Sequence, residues 1–201
     1  MTWRLSSAEF ARLKGEGNRR ALRALVDSGE PPGLLAYVGD EPAGWCAVAP
    51  RDAYPRLDRS RVLARVDDRA VWSVSCFYVA KPFRRSGLSL ALLEAAVAHA
   101  RTRGARIVEG YPVEPRTGAM PDVFAWTGLA STFRSAGFRE VARRSASRPI
   151  LRRGVRGPAG RGGGRAGRGR KDGPGPGRKE GSRSRGSRDS PRPRKGSAPG
   201  R

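Results

Sequence analysis

The sequence predicts a single α/β domain of the α+β kind, with a mixed, mostly antiparallel sheet and helices on both faces. A disordered basic tail is expected to follow it. Three observations carry this. The first 151 residues run as a helix pair, a hairpin, and then strand–helix–strand–helix–strand. One strand-like run, "AVWSVSCFYV", is apolar on both faces and therefore central in its sheet. Composition then changes abruptly: residues 152–201 hold 17 of the 41 Lys and Arg, 3 of the 18 Asp and Glu, and no Phe, Trp or Tyr.

In chain order, Ser6 and Ser7 precede "AEFARLKGEG" as an N-cap and short helix. "NRRALRALVDSG" gives a second helix, with Leu22, Leu25 and Val26 at helical spacing and Gly29 at its end. Pro31 and Pro32 break the chain. "GLLAYVGDEPAGWCAVAP" reads as two strands around a Gly39-Asp40-Glu41-Pro42 turn. The stretch 50–68 is polar and irregular, with one helical turn around Tyr54. After the central strand a long helix starts near Gly87 and ends at Gly104, and "ARIVEGYPV" is the next strand. Thr127 is expected to cap a helix in "GLASTFRSAG", whose Gly137 suits a left-handed C′ position with Phe138 packing back. "FREVARRS" and "RPILRR" finish as strands. The domain is thus expected over residues 1–151 and the tail over 152–201.

The formal net charge of +23 sits mostly in that tail, which cannot bury enough apolar surface to offset its ordering entropy. Cys46 and Cys76 lie in apolar runs without C-x-x-C spacing, as buried reduced thiols do, and no metal is expected. The first residues carry charges and no apolar stretch of a secretory signal, and no run approaches the ~18–20 apolar residues of a membrane span. A cytoplasmic protein with no membrane contact is expected.

The segment most informative about chemistry joins the central strand to the long helix, "VAKPFRRSGLS" from Val79 to Ser89. The first turn of a helix offers unpaired N–H groups and a partial positive charge to an anion. Gly87 lets phosphates approach the backbone, Arg84 and Arg85 add bidentate donors, and Ser89 is small and carries a hydroxyl. A pyrophosphate suits this turn, whereas neither a Walker P-loop nor a G-x-G-x-x-G fingerprint is present.

The same stretch resembles the acyl-CoA signature of the GNAT N-acetyltransferases, a strand ending in Val that leads into R/Q-x-x-G-x-G/A. Arg84 and Gly87 match it, and Ser89 stands where Gly or Ala is usual. "FRSAGFREV" resembles the family's later helix–Gly–Phe–strand segment, so the resemblance covers nearly all of residues 1–151 and none of the tail. It implies a splayed sheet in which a pantetheine arm pairs with the backbone of Phe77, Tyr78 and Val79. Arg84, Arg85, Ser86, Gly87, Leu88 and Ser89 would then hold the pyrophosphate of acetyl-CoA, the implied co-substrate. The implied reaction is direct attack by a bound amine, from a small molecule or a protein, on the thioester. Phe133 departs from the family, because it stands where many members carry a tyrosine that protonates the leaving thiolate.

Alternation along "RIVEGYPV" puts Ile107, Glu109 and Tyr111 on one face. By the family layout this strand forms the far wall of the gap. Glu109 is therefore expected as the base and Tyr111 as the replacement acid or an anchor for the acceptor. The competing expectation is that Glu109 pairs with one of the many arginines. His99, the only histidine, falls in the last turn of the long helix, where His meets the helix C-terminus favourably. Ser131 on the later helix is expected to bond its own preceding turn. Trp45, Tyr54 and Trp126 are candidates to line an acceptor pocket, although Trp45 in a strand equally suits the core. Arg51, Asp52 and Tyr54 fall in a loop after a strand, another place for an acceptor. The alternative function is a catalytically impaired domain that binds CoA, or a scaffold that binds nucleic acid non-specifically through the tail. GC-rich coding alone would also enrich the tail in Arg, Gly, Pro and Ala.

Overall fold

The computed structural model of the chain describes residues 1–115 and 125–155. The expected tail beyond residue 155 lies outside the described residues. Six strands form one open sheet: β1 (Leu34–Val38), β2 (Glu41–Pro50), β3 (Trp72–Val79), β4 (Ile107–Gly110), β5 (Arg139–Arg143) and β6 (Pro149–Gly154). Their order is β1-β2-β3-β4-β6-β5. Every neighbouring pair is antiparallel except β3 and β4, whose parallel pairing requires a crossover. The helices are α1 (Ser7–Arg12), α2 (Glu16–Asp27), α3 (Pro55–Asp58), α4 (Leu88–Thr102) and α5 (Ala130–Ser135). The expected mixed, mostly antiparallel sheet is therefore the observed one, with the central strand third of six.

The crossover is α4. Its Leu92, Leu93, Ala96, Val97 and Ala100 recur at helical spacing and are buried against Cys46, Val48, Val74 and Phe77 of β2 and β3. Burying each leucine stabilises the fold by roughly 1.5–3 kcal/mol. A second core lies on the other face, where Tyr54, Leu57, Leu63, Tyr111 and Ile150 pack together. The polar look of residues 50–68 hides these apolar anchors, which fold a short 3-10 turn, Arg51–Ala53, and α3 back under the sheet.

Several local expectations hold at atomic detail. Ser6 caps α1: its Oγ accepts from Glu9 N at 3.2 Å while Glu9 Oε2 accepts from Ser6 N at 2.9 Å. After α5, Gly137 adopts φ +76°, Phe138 N donates to Phe133 O at 3.0 Å and Gly137 N to Arg134 O at 2.9 Å. This is the Schellman closure that a Gly-Phe pair favours.

Others are corrected. Glu41 and Pro42 belong to β2, which leaves Gly39 and Asp40 to make the turn. Thr127 does not cap α5. Leu129 is the N-cap, without a side-chain bond, and Thr127 Oγ1 accepts from Arg148 Nη1 at 3.0 Å. β4 is only four residues long, and beyond it Val113 makes an isolated bridge with Leu129. β6 runs to Gly154, and Val155 N donates to Arg106 O, so the sheet passes the boundary expected at residue 151. The physical reason is that Arg152, a tail residue by composition, pairs with the buried Glu109 and the half-buried Asp67.

Two features open the sheet. β3 and β4 pair only from Trp72–Val108 to Val74–Gly110, after which β4 ends. At the same point β3 skips a partner on β2: Cys76 faces Ala47 and Val74 faces Val48, leaving Ser75 as the extra residue of a bulge. The bulge adds twist and turns Ser75 and Cys76 to the same face. The sheet thus splays where β3 approaches the basic turn.

Candidate active site

On the α4 side of the splay lies a cavity of about 660 Å³. Its walls include Phe77, Tyr78 and Val79 of β3, then Arg84, Arg85, Gly87, Leu88 and Ser89 of the turn and helix start. Eight of the nine residues expected to hold the co-substrate are thus brought onto one surface. Ser86, the ninth, is exposed and its Oγ donates to Phe83 O at 2.6 Å.

The turn suits an anion. Gly87, the N-cap of α4, has φ +83° and no side-chain cap, and no acidic residue lies in the first turn. A Cβ at Gly87 would meet nothing within 4 Å, so its near side is open space. Arg85 holds φ +62°, the one positive φ among described non-glycine residues. Such a conformation costs roughly 1–2 kcal/mol and gathers at binding sites. Arg84 Nε donates to Val79 O at 3.2 Å, which pins the turn to the strand end.

The edge of β3 that faces the gap already has a partner. Phe77 N donates to the Trp126 carbonyl at 2.6 Å. The segment before α5 therefore occupies part of the strand edge expected to pair with a pantetheine arm.

Glu109 and Tyr111 do share a face, as the alternation requires, but that face is sealed. Glu109 is fully buried, and its Oε1 accepts from Arg51 Nη1 at 2.8 Å and from the Tyr111 hydroxyl at 2.6 Å. Its Oε2 accepts from Arg152 Nε at 2.6 Å. Arg51 also bonds Asp58 and the Leu63 carbonyl, and Arg152 bonds Asp67. Tyr111, buried as well, lies 2.7 Å from Ser73 Oγ, and burial followed by the Glu109 charge pushes its phenol far above the usual range. Neither residue lines the cavity beside β3, nor the smaller one described below. Glu109 is therefore placed as the centre of an ion-pair cluster, with its acceptor positions filled. The competing expectation of an arginine partner is thus met twice, by Arg51 and Arg152.

Phe133 is likewise core. Its ring meets Phe77 and Phe138 edge-on at 6.0 and 5.0 Å between centroids. A Cβ on Gly110 would come within 2.0 Å of it and one on Gly128 within 2.8 Å, so two glycines make room for the ring. His99 packs edge-on to Trp72 at 5.8 Å, and burial, then Arg103, lowers its pKa.

A second, smaller cavity of about 140 Å³ opens on the opposite face of β3, lined by Trp3, Trp45, Tyr54, Ser75, Cys76 and Trp126 among others. Trp126 lines both cavities. Of the expected acceptor residues, Trp45, Tyr54 and Trp126 thus meet here, whereas Arg51 belongs to the ion-pair cluster and Asp52 pairs with Arg65 on the surface. Sequence reasoning missed Trp3, Ser75 and Cys76. Trp3 precedes any element, and the bulge that turns Ser75 and Cys76 together leaves no mark in an apolar run.

Among the described residues, no group of three or more His, Cys, Asp or Glu is placed to hold a metal ion, and no helix is long and apolar enough to cross a membrane.

A sequence model of the acetyltransferase (GNAT) family matches residues 2–121. No curated protein sequence matches the chain. Solved structures of similar fold include an N-acetyltransferase from Staphylococcus aureus Mu50, with 11% identity and TM-score 0.47 over 70% of this chain and 78% of that one. Another is the ribosomal-protein-alanine N-acetyltransferase from Brucella melitensis, with 18% identity and TM-score 0.45 over 70% and 78%.

Proposed function

Because the chain belongs to the GNAT acetyltransferase family, we propose that it transfers an acetyl group from acetyl-CoA to an amine by direct attack in a ternary complex. The observation that carries this is a single cavity joining the gap beside β3 to the uncapped N-terminus of α4. The pyrophosphate takes the first-turn N–H groups at Gly87, Leu88 and Ser89, with Arg84 and Arg85 as charge partners. The pantetheine arm runs along Phe77, Tyr78 and Val79, and the Trp126 carbonyl must yield Phe77 N–H for it to pair there. The acceptor enters from the other face, past the bulge at Ser75.

Nitrogen attacks the thioester carbonyl carbon, the C–N bond forms and the C–S bond breaks. Backbone N–H groups freed at the splayed edge are the donors for the oxyanion. No Asp, Glu or His lines either cavity among the described residues, so water carries the ammonium proton away and protonates the thiolate. Glu109 and Tyr111 support this site from behind, by holding β4 against β6 and the loop after β2.

The test is ligand-linked stabilisation. A ligand at 100 times its Kd should stabilise the protein by about 2.7 kcal/mol. Acetyl-CoA at millimolar concentration should raise the melting temperature of the wild type, and Gly87→Glu, which places a carboxylate at the phosphate position, should abolish the rise. A wild type that shows no rise would remove the proposal's foundation.

A further inference from the structure

Resting on the acetyl-transfer reading above, we propose that the smaller cavity is the acceptor site for a small α-amino acid bearing one aromatic ring. Its carboxylate is held jointly by Arg4 and the Tyr54 hydroxyl. Size comes first. A volume of about 140 Å³ is close to the roughly 150 Å³ of an apolar cavity that holds one benzene ring. The walls are aromatic. Trp3 stacks on Trp126 with 5.7 Å between centroids, and Trp3 Nε1 donates to the Ser75 carbonyl at 3.2 Å. Trp45 lies so close over Gly33 that a Cβ there would come within 2.8 Å of its ring. Rings prefer to meet rings in offset or edge-on contact, which favours an aromatic guest.

The polar groups set the charge. Tyr54 is 1% exposed, yet its hydroxyl has no hydrogen-bond partner. Ser75, which lines the same cavity, is near enough to act on the phenol but does not meet hydrogen-bond geometry. A buried hydroxyl without a partner is uncommon and marks a place for one. The Arg4 guanidinium stands 4.8 Å over the Tyr54 ring and has no carboxylate partner among the described residues. One carboxylate satisfies both donors, whereas a second cation on the acceptor would be repelled by Arg4. With the carboxylate anchored there and the ring in the aromatic slot, the α-amine is left to face Trp126, the wall shared with the donor cavity. Attack gives the N-acetyl amino acid and free CoA thiol, with the ammonium proton passing to water.

The experiment uses the full chain and acetyl-CoA. Thermal stabilisation reports the donor, and initial rates of thiol release report four acceptors: L-phenylalanine, phenethylamine, L-alanine and L-lysine. Phenylalanine should have the highest kcat/KM. Tyr54→Phe removes an unpartnered hydroxyl, so it should fold as the wild type does. Tyr54→Phe and Arg4→Met should each raise KM for phenylalanine about tenfold with kcat within a few-fold, and KM for phenethylamine by less than about threefold. If acetyl-CoA binds but lysine or alanine is preferred, or if neither variant moves KM for phenylalanine, the inference is overturned and the transfer reading stands. If acetyl-CoA does not bind, the transfer reading falls and takes the acceptor role with it.

Discussion

At the scale of single residues, burial decides what a carboxylate can do. Glu109 sits in an apolar-flanked strand, which from sequence suits a desolvated base. In the fold the same burial is filled by two guanidinium groups and a phenol. Removing one partner of a buried ion pair costs roughly 3–5 kcal/mol. Glu109→Gln should fall near the low end, because Arg51 keeps Asp58 and Arg152 keeps Asp67. Its melting temperature should drop by about 10 °C, on a scale of ~2–4 °C per kcal/mol. Turnover per folded molecule should stay within a few-fold; a hundredfold loss at unchanged stability would restore Glu109 as the base. His99 gives a cleaner reading, since it is the only histidine. Its pKa is lowered by burial, so its neutral form is favoured in the fold. Stability is then present above the unfolded value of about 6.5 and is lost as pH falls from there through the folded value. Its ring protons, followed by NMR, should titrate below 6.5, and a midpoint at or above 6.5 would contradict the packing against Trp72.

At the scale of elements, glycines shape the site as much as arginines do. Gly110 ends β4 with the Phe133 ring against its α-carbon. Gly110→Ala would drive a methyl into that ring, and overpacking of this kind typically costs ~1–3 kcal/mol. Adding Phe133→Leu should recover part of the loss, whereas equal melting temperatures for the single and double variants would show that the contact is not the cause. The same region depends on acid–base pairing: Arg134 and Arg143 hold Glu114 and Glu140 below the usual carboxylate range, and Arg152 and Arg69 do so for Asp67. Carboxyls lowered by folding contribute stability above their unfolded values, about 4, and lose it as pH falls through the lowered folded ones. Below about pH 4.5 the melting temperature should therefore decline further, in addition to the loss that His99 causes between neutrality and that point. The elements themselves were largely legible. The apolar β3, the capping box at Ser6 and the Gly137-Phe138 stop are local patterns, and so is the basic, glycine-containing turn from Arg84 to Ser89 that opens α4. The bulge at Ser75, the role of Arg51 and the retraction of Thr127 from the cap were not. Each depends on a partner tens of residues away, such as Trp3, Glu109 or Arg148, and no local pattern encodes it.

At the scale of the whole molecule, the question is where the working unit ends. Composition puts the break at Arg152, since arginine and glycine dominate from there on. The sheet answers differently. Arg152 is 7% exposed and bonds Glu109 and Asp67, Arg153 bonds Glu94 and the Ala136 carbonyl, and Val155 closes onto Arg106. A chain stopped after Leu151 loses most of the β4–β6 ladder and leaves a buried carboxylate with one cation in place of two. It should be strongly destabilised, by about 3 kcal/mol or more for the ion pair alone. A chain stopped after Val155 keeps every one of these contacts. Its melting temperature and its stabilisation by acetyl-CoA should match the full chain. Nucleic-acid affinity separates the two parts in the same experiment. Binding through the 152–201 charge should fall steeply with salt and vanish in the chain ending at Val155, as counterion release requires. If that shorter chain bound duplex DNA as tightly as the full one, the charge that matters would lie on the domain. If it lost acetyl-CoA stabilisation instead, the residues beyond Val155 would be part of the acetyl-transfer site.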